Sequence, residues 1–113
     1  MVLVVILTVL EAKADDFRAF ERAAARVMAA YGGAIERAIV VPPEPGVDTF
    51  REVHIVTFPD AEAFAAYRAD PRMAEVRHLR ESSVVNTVLM EGEHGPDYMG
   101  SPDESVTIRG DET

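Results

Sequence analysis

Residues Val2–Leu10 read Val-Leu-Val-Val-Ile-Leu-Thr-Val-Leu, and this run constrains the fold more than any other part of the chain. It is rich in β-branched residues, which favours a strand. Leu3, Val5, Leu7 and Val9 fall on one side of such a strand, and Val2, Val4 and Ile6 on the other. A strand with one face in water alternates apolar and polar residues, so a strand apolar at both parities needs cover on both faces. The run is too short for a helix to cross a bilayer. No basic segment precedes it, and Glu11, Lys13, Asp15 and Asp16 follow at once, which is not the pattern of a signal peptide. The cytoplasm is the expected location.

The remaining elements follow from periodicity and punctuation. Asp15 or Asp16 offers an N-cap for a first helix. Its apolar stripe is Phe17, Phe20, Ala24, Val27, Met28 and Tyr31, and Gly32-Gly33 ends it. A second strand is predicted over Ala34–Val41 and a third over Phe50–Phe58. Between them the prolines of Pro42-Pro43-Glu44-Pro45-Gly46 enforce a loop. Asp60 caps a second helix, and Asp70-Pro71 breaks it into pieces at about 60–69 and 71–80, because the residue before a proline resists the α conformation. Phe64 and Tyr67 face inward on the first piece, and Met73, Val76 and Leu79 on the second. A fourth strand is predicted over Ser83–Glu91.

The chain has 113 residues, enough for one domain, which we place at 1–92. Residues 93–113 hold six acidic side chains against Arg109 alone, more than half of the net charge of −9. We expect an acidic, largely flexible tail there, with Val106-Thr107-Ile108 as a possible edge strand. The acidic balance disfavours nucleic acid and anionic membranes as partners. There is no cysteine, which excludes disulfides, thiolate nucleophiles and Cys-based metal sites.

The order β-α-β-β-α-β with right-handed crossovers predicts an α+β, ferredoxin-like antiparallel sheet in the order 4-1-3-2, with its helices on one face. The other face would carry Val2, Val4 and Ile6 with either Val53 and Ile55 or their alternates, and Val84, Val88 and Met90 or theirs. Two helices cover one side only, so several hundred Å² or so of apolar surface would remain. A symmetric partner is the simplest cover, and a homodimer is expected.

The segment "EVHIVTFPDAEAFAAYRADPRMAEVRHLRESSV" with "VNTVLMEGE" after it resembles the dimeric α/β-barrel superfamily. It is most similar to DUF1330-type and antibiotic-biosynthesis-monooxygenase-like small proteins. The matching features are the strand ending Phe58-Pro59, the helix carrying Tyr67, the Asp70-Pro71 break and the strand ending Glu91-Gly92, and the resemblance spans about residues 1–92. It implies a dimer whose two sheets face each other as a barrel. Members include cofactor-free oxygenases, isomerases and haem-degrading enzymes. The last use a Trp, a His and an Asn, and this chain has no tryptophan.

Three residues are candidates for chemistry. His54 lies mid-strand among apolar residues and is either a general acid/base in a cavity or a histidine satisfied by its neighbours. Asn86 could hold a substrate carbonyl or bond across a dimer. Tyr67 either points its hydroxyl at a cavity mouth or belongs to the core. Arg18, Arg22 and Arg26 form one line on the first helix and, beside Glu21, read as a solvated face. His54, His78 and His94 have no metal-ligand spacing, and no glycine-rich phosphate loop or serine nucleophile elbow is present.

No metal and no cofactor is therefore expected. The functional expectation is a cofactor-independent, monooxygenase- or isomerase-like enzyme acting on a small molecule between helices and sheet, with His54, Asn86 and Tyr67 as its catalytic set. The alternative is a non-catalytic ligand-binding or dimerisation module.

Overall fold

The computed structural model describes residues 1–99. The apolar run at the N-terminus forms β1 (Val2–Leu10). A single turn of 3₁₀ helix at Glu11–Lys13 leads into α1 (Ala14–Ala30). Then come β2 (Ala34–Val41), β3 (Thr49–Thr57), α2 (Ala61–Ala69), α3 (Pro71–Ser83) and β4 (Val84–Gly92). The strands pair antiparallel in the order β2-β3-β1-β4, which is the expected 4-1-3-2 read from the other edge. The chain is thus an α+β, ferredoxin-like fold. Among the described residues no helix is long and apolar enough to cross a membrane.

β1 occupies the middle of the sheet, and its two side-chain sets have different fates. Leu3, Leu7 and Val9 are buried beneath the helices, opposite Val56, Glu52 and Phe50 of β3. The stripe of α1 closes over them: Phe17, Phe20, Ala24, Val27 and Met28 are all buried. Burying each of these side chains other than Ala24 contributes about 1.5–3 kcal/mol. Met73, Val76 and Leu79 of α3 pack against the same core.

Among the described residues the other side of β1 meets its own sheet and no helix. In register, Ile39, Val53, Ile6 and Val88 form one row across all four strands. Ile55, Val4 and Met90 form the next, ending in Arg37 at the β2 edge. Among the described residues no helix lies on this face. Ile39, Val88 and Met90 are 45%, 40% and 46% exposed.

Three local details differ from expectation. Neither Asp15 nor Asp16 caps α1; the helix starts at Ala14 after the 3₁₀ turn, and both aspartates sit in its first turn, where they complement the helix dipole. The third helix runs to Ser83, past the expected end at 80, and the buried Ser83 hydroxyl closes it by donating to the Leu79 carbonyl at 2.6 Å. β4 carries a bulge: Thr8 pairs with Asn86 but Val9 with Val84, so Val85 is the extra residue. The bulge turns Val84 toward the helices, where it packs by Phe17, and not to the back with Val88. Past Gly92, residues 93–99 have no regular secondary structure. The remainder of the expected tail, with Val106-Thr107-Ile108, lies outside the described residues.

The break between α2 and α3 falls at Asp70, as the proline requires. Asp70 is extended (ψ 130°) and its carboxylate accepts from the backbone N–H of Arg72 at 2.8 Å, capping α3. The Arg72 guanidinium and the Tyr31 hydroxyl also donate to it, at 2.8 Å and 2.7 Å. These donors, Arg72 foremost, hold the Asp70 carboxyl far below the usual carboxylate range. The end of α1 is thereby tied to the α2–α3 junction.

Gly32 ends α1 with φ 73°, a conformation that suits glycine. Gly33 is needed for a different reason: a Cβ there would run into the ring of Phe58, which packs at a tilt against Phe64 and Tyr67. Gly33→Ala is expected to lower stability by about 1–3 kcal/mol through overpacking. Denaturant unfolding of the two proteins checks it.

Candidate functional site

A cavity of about 400 Å³ lies between the sheet and the helices, lined by residues of β1, β3, β4 and all three helices. Leu3, Val56, Phe58 and Phe64 give it apolar walls. Into this apolar setting the sheet projects one histidine. His54 is 3% exposed, opposite Val5 on β1.

Two carboxylates flank the ring. Glu52, two residues away on the same face of β3, lies with Oε1 2.8 Å from Nε2. A carboxylate can only accept, so Nε2 carries a proton and donates it to Glu52. Nδ1 faces Glu21 of α1, whose Oε2 is 3.7 Å away, too far for a hydrogen bond. The Glu21 carboxyl is raised above its ordinary value of 4.5, chiefly by burial. The charge of Glu52 pushes it further up, while His54 and then Arg80 oppose. It therefore gives up its proton less readily than an exposed glutamate.

Tyr67, from α2, also lines the cavity and is buried. Its phenol is pushed up to about 12, mainly by burial and next by the charge of Glu21. At neutral pH it is a hydrogen-bond donor and not a base. Arg80 of α3 donates to the Thr87 hydroxyl of β4 at 2.6 Å, fixing the guanidinium at the cavity wall.

Of the three residues read from sequence, the fold brings His54 and Tyr67 to this cavity and takes Asn86 away. Asn86 pairs with Thr8, on the opposite face of the sheet, and is exposed. Alternation along β4 puts Thr87, not Asn86, on the cavity side. Asn86 is therefore not placed to hold a substrate there. Sequence reasoning missed Glu52, Glu21 and Arg80. The i, i+2 spacing of Glu52 and His54 was a usable signal. So was the position of Glu21 inside the apolar stripe of α1, between Phe17 and Ala24, where a solvated face would not lie. Among the described residues no group of three or more potential ligands is arranged to hold a metal ion.

Solved structures with the same architecture share little sequence with this chain. SnoaB, a cofactor-independent oxygenase from Streptomyces nogalater, is 17% identical with a TM-score of 0.56, over 83% of this chain and 93% of that one. A protein of unknown function from Rhodopseudomonas palustris is 18% identical with a TM-score of 0.62, over 83% and 84%. A protein from Nitrosomonas europaea, named as a candidate antibiotic biosynthesis monooxygenase, is 13% identical with a TM-score of 0.56, over 83% and 100%. These proteins and this chain share one fold. At these identities the likeness establishes the fold alone, and it does not extend to the DUF1330 half of the sequence resemblance. No family model and no curated protein matches the chain.

The raised carboxyl of Glu21 makes a signed prediction. Between 4.5 and its folded value the native state binds more protons than the unfolded chain, so this group's contribution to stability declines as pH rises through that window. Glu21→Gln cannot titrate. Its stability relative to the natural protein should therefore improve from about pH 4.5 toward neutrality, whatever constant offset the lost charge brings. Urea titrations across that range measure the difference.

Proposed function

We propose that this chain is a cofactor-independent enzyme of the monooxygenase or isomerase kind, acting on a small organic molecule in the cavity. The observation that carries it is a buried histidine on the cavity wall, held by one carboxylate and facing a second. Oxygenation without a cofactor and isomerisation share one need, the removal of a proton from a weak carbon or oxygen acid. His54 Nδ1 is the base, and Glu52 fixes the ring as a carboxylate does in a catalytic triad. Glu21, whose carboxylate lies 3.7 Å from Nδ1, receives the proton from the ring. The Tyr67 phenol donates to the oxygen on which negative charge develops. The cofactor-independent oxygenase among the structural neighbours supports this reading through the fold.

Two structural readings belong to the same proposal. The chain acts as a homodimer, with the exposed rows through Ile6 and Val88 packed against those of a second copy, and it works in the cytoplasm. A second function is favoured by one observation: the His54 ring is flanked on both sides, by Glu52 at Nε2 and by Glu21 at Nδ1, as a structural histidine would be. On that reading the cavity binds a small ligand without turning it over.

Incubation with fused-ring phenols and ketones, followed by oxygen uptake and by deuterium incorporation from solvent, separates the two. His54→Gln should lower both rates by about 10²–10⁴-fold, the usual share of a general base. Full rates in that variant, or no exchange with any such compound in the natural protein, would leave the binding module. Sedimentation at micromolar concentration should give twice the 12.4 kDa of one chain. Val88→Asp should shift the mass toward one chain, and a natural protein already at 12.4 kDa would remove the dimer.

A further inference from the structure

Three arginines line the same cavity: Arg68 of α2, and Arg77 and Arg80 of α3. Arg77 and Arg80 stand three apart and share a helix face. Among the described residues none of the three lies within ion-pair distance of a carboxylate; the pairs present are those of His54 and of Arg72 with Asp70. Arg68 lies over the Phe64 ring at 5.4 Å, and Arg80 uses one nitrogen on Thr87. A guanidinium has five donors, so most of this donor capacity is unspent.

The charges are also sorted in space. Arg68 and Arg77 are exposed and Arg80 half-buried, which places them along the helix side of the opening. Glu21 and Glu52 lie deeper, around His54. Glu81, which also lines the cavity, is an exposed neighbour of Arg80 in sequence. An anion is thus repelled from the deep end and drawn to the opening, while the walls between, Leu3, Val56, Phe58 and Phe64, accept hydrocarbon.

We propose that the ligand is an apolar, aromatic-sized carboxylic acid. Its carboxylate binds Arg77 and Arg80 at the opening, assisted by Arg68, and its apolar body runs inward toward His54. A planar carboxylate matches the forked donors of a guanidinium. This rests on the reading of the cavity as the functional site, but not on catalysis there.

Calorimetry of the full chain with naphthalene-2-carboxylate and with its neutral amide tests it. The acid should bind about tenfold more tightly or better at low salt, with the preference shrinking at high salt. Arg77→Gln and Arg80→Gln should each remove most of that preference, lowering the affinity of the acid far more than that of the amide. Since Arg80 also supports β4, Arg77→Gln decides if the other variant fails to fold. His54→Gln should keep the preference. A preference retained alongside a failed exchange assay removes the catalytic reading only. Equal binding of acid and amide, binding of neither, or a preference untouched by Arg77→Gln overturns the proposal.

Discussion

The structure depends on one mismatch: β1 is apolar on both sides, while the helices lie on one. On the helix side, Leu3, Leu7 and Val9 form the floor onto which α1 lays Phe17, Phe20 and Val27, and that contact fixes which parity of every other strand faces inward. His54 and Glu52 share the inward parity of β3, so the same choice that builds the core puts two polar groups beneath the helices. Among the described residues no helix covers the back rows of Ile6 and Val53, which is the physical basis for the proposed partner copy.

The cavity exists because the second helical segment is broken. A straight helix from Ala61 to Ser83 would have to continue past Pro71, which Asp70 prevents by adopting an extended backbone. Tyr67 is thereby placed on one segment, and Arg77 and Arg80 on another that runs back toward β4. The ionised Asp70, with its donors Tyr31 and Arg72, holds this junction against the end of α1. Both segments then present side chains to one space above Leu3 and His54. Glu21 and Glu52 around His54, with three guanidiniums and Glu81 toward the exposed side, give that space a polarity that a purely apolar pocket would lack.

Much of this was legible in the residues. The glycine pair after Tyr31, the three loop prolines and Asp70-Pro71 are local signals, and each marked its boundary within a few residues. The strand order followed from element order and handedness. The site was less legible. His54 and Tyr67 are legible by type and position, whereas of the two roles open to Asn86 its exposed place opposite Thr8 leaves the one outside the cavity. Glu21 was grouped with the solvated arginines of α1 although its spacing put it on the buried face. The bulge at Val85 also reversed the side of Val84, because one extra residue shifts alternation along the rest of a strand.

By itself, then, the sequence determined the elements, their order and the need for cover on two faces, since these depend on periodicity and on the backbone limits of glycine and proline. Only the tertiary structure decided which polar groups meet. Glu21, His54 and Arg80 come from three separate elements, and their distances depend on strand register, on a bulge and on how α3 leaves Asp70. Those quantities arise from packing between segments distant in the chain, and no local pattern of residues encodes them.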